Sequence, residues 1–415
     1  MALGRTLSVT LQGLAGALVE VEADLSMGLP IFLIGGLPDA ACRQSSDRIK
    51  AAAANSGLPL PQRRITVNLS PASLPKHGAG FDLGIAVAVL VAAGVVPAAA
   101  VADVAHLGEL GLDGAVRAVR GVLPAVMAAA ALGCRAVVVP EPNVAEARLV
   151  PGVRVTAART LTQVVRAHRG EPPVGEPAPR DRAPHADDGQ PGQGQDFDRH
   201  ADDGQPGQGR DLADVVGQEE ARLALEVAAA GGHHVFLVGP PGAGKTMLAE
   251  CLPTLLPPLA HDHALEVTAI HSVLGVLPAG ALIRRPPFVA PHHGASMAAI
   301  IGGGSGQIRP GLVSQAHRGV LFLDEAPEFR LGVLQSLRQP LESGQVVVAR
   351  ASGSVRYPAR CQLVLAANPC PCGKGHGKGQ DCSCAAKARR DYLSRLAGPL
   401  LDRVDVRVQV PAVGR

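Results

Sequence analysis

Gly239, Pro240, Pro241, Gly242, Ala243, Gly244, Lys245 and Thr246 spell G-x-x-x-x-G-K-T. Glycines at these places let successive backbone N–H groups turn inward around a phosphate, and a helix N-terminus just beyond adds a dipole that favours anions. Lys245 can then reach the β and γ phosphates of a nucleoside triphosphate, and the Thr246 hydroxyl can ligate Mg2+. Further along, four apolar residues, Val320 to Leu323, run into Asp324 and Glu325. A buried parallel strand that ends in carboxylates sets them at the carboxyl edge of a sheet, where doubly wound folds bind ligands. There Asp324 can hold Mg2+ through water, while Glu325 can polarise an attacking water. A third apolar run, 362–367, ends in Asn368 and Pro369. The neutral amide of Asn368 can hold that water or sense the γ-phosphate, although Asn-Pro by itself is also a common turn.

Two C-x-C pairs, Cys370 with Cys372 and Cys382 with Cys384, bracket nine residues rich in Gly and Lys. Four soft ligands in one excursion can close a tetrahedral Zn2+ site. The spacing is tighter than the usual C-x-x-C knuckle, so four reduced thiols stand as an equal alternative. Cys42, Cys134, Cys251 and Cys361 lie in apolar stretches and read as core. Arg350 and Arg356 sit within a two-strand pattern over 345–357, as phosphate contacts or as edge charges that discourage aggregation. The adjacent His292 and His293 are not expected to share a ligand, because neighbours on a strand diverge.

These residues need an α/β frame. Around the phosphate loop the pattern predicts a helix at 219–230, a strand at 235–238 and a helix at 247–252. Residues 1–169 alternate short Val/Ile/Leu runs with Ala-rich stretches. Strands are predicted there at 14–23, 31–34, 65–69, 105–108 and 136–139, and helices at 42–56, 83–93 and 122–132. Over 170–210 apolar residues nearly vanish, and the ten residues 185–194 recur letter for letter at 200–209. That segment reads as a tether with a duplicated spacer, which divides an N-terminal domain, 1–169, from a nucleotide-binding domain, 211–415.

Composition sets limits. The chain has 415 residues, 47% hydrophobic and 18% charged, which excludes wholesale disorder and leaves room for two or three domains. A net charge of +3 neither supports nor opposes a nucleic-acid partner. Aromatic residues are only 2% with no Trp, which argues against a stacking platform for single strands. Residues 83–102 are uncharged, but they are Ala- and Gly-rich and broken by Gly94 and Pro97, so no membrane span is expected. Eight cysteines without an export signal point to a cytoplasmic protein.

The segment Asp214 to Gln218, the phosphate loop, Asp324 with Glu325, and Asn368 together resemble an AAA+ ATPase. Pro291-His-His293, Gly302-Gly-Gly304, Arg309-Pro-Gly311, Asp324 to Phe329, Asn368 to Gly373 and Gly398 to Arg403 narrow the resemblance to the magnesium-chelatase-like ATPases of the ComM/YifB competence family. It implies ATP and Mg2+ as ligands, with Val216 and Gly217 against the nucleotide, and a homo-oligomer, generally a hexameric ring, that acts on DNA as a branch-migrating helicase. It makes Arg403 an arginine finger supplied to the neighbouring subunit, against the alternative of a salt bridge to Asp402 or Asp405. In that family the hairpin carrying Arg350 and the loop with Arg309 face the pore. Two departures stand out. Val289 occupies a place usually held by Arg, and the chain stops at Arg415 where a helical lid with a second sensing arginine would follow. The implication is either a fragment or impaired hydrolysis.

Residues 108–140 and Lys76 to Gly84 resemble a Lon-protease-like domain. The implied fold is thus a Lon-like N-terminal domain followed by a P-loop AAA+ core that has a Cys-rich insertion at 370–384 and lacks its lid. In this alignment the Ser nucleophile falls on Asp82 and the Lys base near Ala125. No Lys lies between Lys76 and Lys245, so the domain is expected to keep the fold without proteolysis.

Overall fold

The structure is a computed structural model describing residues 2–172, 210–277, 281–304, 308–350, 353–374, 382–396 and 400–412. The expected tether and its duplicated spacer lie outside these residues apart from the tether's ends. Two units account for the described chain. The first takes residues up to 172 together with 272–277 and 281–282, and the second takes the rest.

The first unit begins with a hairpin, Ala2–Gln12 and Ala15–Ser26, that reverses at Gly13 with φ +69°. Only its second strand was expected, because the first inverts the usual pattern. Thr6, Ser8 and Thr10 face inward while Leu3 is exposed. Each hydroxyl is satisfied by a carbonyl: Thr6 donates to Gly84 O (2.9 Å), Ser8 to His106 O (2.9 Å) and Thr10 to Pro75 O (3.1 Å). The hairpin is central to a seven-stranded mixed sheet. In spatial order the strands are Phe32–Gly35, Arg64–Ser70, Ala15–Ser26, Ala2–Gln12, Val104–His106, Ala136–Pro140 and Arg154–Ala158.

Helix Asp82–Ala92 packs on the hairpin so closely that a Cβ at Gly4 would sit 2.1 Å from Ala88 O. All eleven of its residues are buried. This helix resolves the uncharged 83–102 stretch. It ends before Gly94, at φ +73°, and among the described residues no helix is long and apolar enough to cross a membrane. The helix expected at 42–56 starts earlier, at Ala40, where the Asp39 carboxylate caps the first turn at Cys42 N (2.8 Å), and it is split at Gln44 into Ala40–Arg43 and Ser45–Asn55.

The second unit is built on a five-stranded sheet, parallel throughout, in the order Phe288–Val289, Val320–Leu323, Gln362–Ala367, Val235–Val238, Val406–Gln409. The three central strands are apolar and almost wholly buried, as a parallel sheet covered on both faces requires. Val289 fits this frame, since it is buried in an edge strand where an arginine would lose its solvation. In the chain, Val235–Val238 comes first, yet it lies between the fourth and fifth strands to be made. The carboxyl ends of all five strands therefore share one edge and release Gly239, Ala290, Asp324, Asn368 and Val410 there. Such an edge, beside the strand where the order reverses, is where open α/β sheets bind ligands.

Candidate functional site

The phosphate loop leaves Val238 and turns through Gly242 (φ +76°) and Gly244 (φ +88°) into helix Lys245–Leu255. Both angles are costly for any side chain. Gly239 is constrained differently: its N–H donates to Ala367 O (3.1 Å), and a Cβ would sit 2.2 Å from Val410 O. The loop is thus clamped between the two neighbouring strands.

Parallel register puts Val238 level with Ala367 and so Gly239 level with Asn368. Lys245 takes advantage of this. Its buried ammonium donates to Gly239 O (2.8 Å), Pro240 O (3.0 Å) and Asn368 Oδ1 (3.1 Å). Burial lowers its pKa, while Asp324 and Glu325 pull the other way. From the next strand along, Asp324 Oδ2 accepts from Thr246 Oγ1 (3.0 Å), and its Oδ1 accepts from Glu325 N (2.9 Å). Lys245, Thr246, Asp324, Glu325 and Asn368, separated by more than a hundred residues in the chain, thus form one group.

Glu325 takes a left-handed backbone, φ +48°, which costs a non-glycine residue about 1 kcal/mol. Its carboxylate lies 3.5 Å from His293 Nδ1, and the His292 and His293 rings pack at a tilt of 34° with centroids 4.1 Å apart. The two rings pack on each other instead of diverging as strand neighbours would. The pair leaves the edge strand Phe288–Val289 in a turn, not in extended backbone, and the turn returns His293 to the acidic pair. Gln218, the last residue of the Asp214 to Gln218 segment, has a positioning part that its residue type does not announce. With φ +55° it bonds Pro411 O (2.8 Å), which fixes Val216 and Gly217 in front of it, Val216 being 88% exposed. Backbone angles of this kind have no signal in residue type.

Arg403 ends a short turn, Leu401–Arg403, and pairs with Glu342, which also takes Arg338. Of the two salt-bridge partners considered from sequence, Asp405 has its carboxylate 3.1 Å from His233 Nδ1. Arg309 and Arg356 are exposed on two-stranded ribbons, whereas the side chain of Arg350 lies outside the described residues.

Cys370, Cys372, Cys382 and Cys384 bring their sulfurs within 4.8 Å of one another. The Lys374 N–H and the neighbouring thiols push Cys372 down to about 6, and Cys372 in turn pushes Cys384 up to about 11. Cys42, Cys134 and Cys251 are buried as expected, and Cys361 is half-buried.

In the first unit Asp82 is fully buried and accepts from Arg48 Nε (2.7 Å), Arg48 Nη2 (3.0 Å), Leu110 N (3.2 Å) and the Ser45 hydroxyl. Lys76 is also buried, its ammonium bonded to Pro71 O.

Residues 211–415 match the family described as Magnesium chelatase, subunit ChlI, and residues 21–143 match Subunit ChlI of Mg-chelatase. The competence protein ComM of Haemophilus influenzae is 39% identical over 411 residues, covering 99% of this chain and 77% of that protein. The chain belongs to the magnesium-chelatase-like ComM/YifB family. YifB of Escherichia coli is likewise 39% identical, over 95% of this chain and 73% of its own. An uncharacterized protein of Mycobacterium tuberculosis, Rv2897c, is 54% identical over 99% of this chain and 77% of its own. The identity to these family members runs through both units, not through the phosphate loop alone.

Proposed function

We propose that this ComM/YifB-family chain binds ATP with Mg2+ and hydrolyses it, as the AAA+ motor of a homo-oligomeric, hexameric ring that acts on DNA in the cytoplasm. The observation that carries this proposal is the three-oxygen grip on Lys245 beside the Thr246–Asp324 pair. An ammonium held by neutral oxygens can exchange them for phosphate oxygens without leaving a buried partner unpaired, apart from Asn368, which then faces the same phosphate. Thr246 Oγ1 and Asp324 Oδ2 suit a hard cation, being oxygens only 3.0 Å apart. When bound there, Mg2+ neutralises charge on the phosphate oxygens. Glu325 holds and polarises the water, and His293 turns its carboxylate. Val216 and Gly217 offer an apolar surface to the base.

Arg403 is proposed as the finger for the neighbouring subunit. The pairing with Glu342 supports this, because a surface pair of this kind is weak and exchangeable. The first unit is proposed as a Lon-like domain without proteolysis. Asp82, at the nucleophile position, spends both carboxylate oxygens on Arg48, Ser45 and Leu110, and Ala125 has no amine. The four cysteines add a candidate Zn2+ centre.

The test is nucleotide binding and turnover of two variants. Lys245→Ala is expected to lose ATP binding. Glu325→Gln is expected to keep binding and lose turnover by about 100-fold or more, the usual contribution of a general base. Turnover by Glu325→Gln at the parental rate refutes the role of the base. The rate measured with single-stranded, duplex and branched DNA separates the DNA motor from a chelatase-type subunit, which DNA would not stimulate.

A further inference from the structure

We propose that Cys370, Cys372, Cys382 and Cys384 bind one Zn2+, and that this ion anchors Asn368 and the phosphate loop so that metal loading sets nucleotide affinity. Tetrahedral zinc with Zn–S bonds of about 2.3 Å requires sulfurs about 3.8 Å apart. Cys370 Sγ lies 3.3 Å from Cys372 Sγ and 3.6 Å from Cys382 Sγ, and Cys372 Sγ lies 3.7 Å from Cys382 Sγ. Cys384 completes the set within 4.8 Å. These separations are too long for a disulfide and close to the edges of a thiolate tetrahedron. Four thiols in mutual contact otherwise gain only weak hydrogen bonds.

The cluster is tied to the nucleotide group at three points. Cys370 is fully buried two residues after Asn368, the amide that holds Lys245. On the far side, the chain beyond Cys384 enters helix Ala386–Ser394, whose buried Tyr392 hydroxyl feels the Asn368 backbone N–H. Gly373, at φ +73°, lies against the loop itself, where a Cβ would be 2.6 Å from Pro241 Cγ. An ion that gathers both ends of this excursion therefore fixes the strand end that carries Asn368 and presses Gly373 on Pro241.

The zinc assignment is independent of the nucleotide reading; the coupling rests on it. The full chain, purified in reductant without added metal, is expected to carry one zinc by elemental analysis and, after exchange, to show the visible bands of tetrahedral Co2+ thiolate. Cys372→Ser and Cys384→Ser are each expected to lose the metal and weaken a fluorescent ATP analogue by about tenfold or more, as removing groups that hold a site commonly does. Lys245→Ala is expected to keep the zinc while losing nucleotide, which separates the two sites. Substoichiometric zinc together with absent Co2+ bands, or thiols that pair as disulfides instead, overturns the site. Metal removal from the parental chain that leaves ATP affinity unchanged overturns the coupling, and because no residue is altered, that measurement does not depend on the variants folding.

Discussion

Acidification from pH 7 to pH 5 is expected to weaken the first unit by about 2 kcal/mol through His106 alone. His106 is fully buried in the strand Val104–His106, with its Nε2 2.9 Å from His168 Nε2. Burial, and then any charge on His168, push it from 6.5 down to about 3. Between those values the folded ring stays neutral while the unfolded one takes up a proton. Its contribution is therefore complete above about pH 6.5 and is lost toward pH 3, with a limiting slope of about 1.4 kcal/mol per pH unit. Burial lowers His168 as well, which adds in the same sense. Glu146, whose buried carboxyl is raised, acts oppositely and makes the comparison with a variant essential. The perturbation is His106→Gln, and the readout is the fall in unfolding free energy from pH 7 to pH 5 in urea. With no Trp, and with Tyr357 and Tyr392 both in the second unit, tyrosine fluorescence follows the wrong half. Pulse proteolysis, read from the fragments of the first unit, follows the right one. A variant that loses as much stability on acidification as the parent refutes the assignment.

Asp82→Ala is expected to cost the first unit about 3–5 kcal/mol, the usual penalty for stripping one partner from a buried ion pair, here Arg48. Urea midpoints check it, and a loss below 1 kcal/mol shows that Arg48 finds solvent. Arg403→Ala is expected to lower turnover about 1,000-fold, as loss of an arginine finger does. Mixing it with Lys245→Ala subunits is expected to restore part of the activity, and mixtures that assemble yet stay inactive exclude action in trans.

The sequence makes the core of the second unit legible because its strands are unbroken apolar runs with sharp ends. Val235–Val238 stops at a glycine turn and Gln362–Ala367 at Asn-Pro, and both strands appear with those bounds. The same logic fails on Ala2–Gln12, where the buried face is made of Thr6, Ser8 and Thr10, and apolar pattern alone selects the wrong side. It fails again on Arg154–Ala158 and Val406–Gln409, whose strand identity depends on neighbours far away in the chain. At the site, residue type and motif suffice to single out Lys245, Thr246, Asp324 and Glu325, which the fold brings together. His293, Gln218 and Glu342 owe their places to backbone turns and to tertiary proximity, which spacing does not encode.

Helix Asp82–Ala92, buried on every side, has a consequence for how the protein is made. It lacks any polar stripe, so outside its unit it is indistinguishable from a sticky hydrocarbon rod. The hairpin that sheathes it is synthesised beforehand, and at Gly4 the two backbones nearly touch. A chain trimmed at its N-terminus by even one strand would emerge with the side of this rod that faces Ala2–Gln12 bare. The expected product is insoluble aggregate, not a smaller domain.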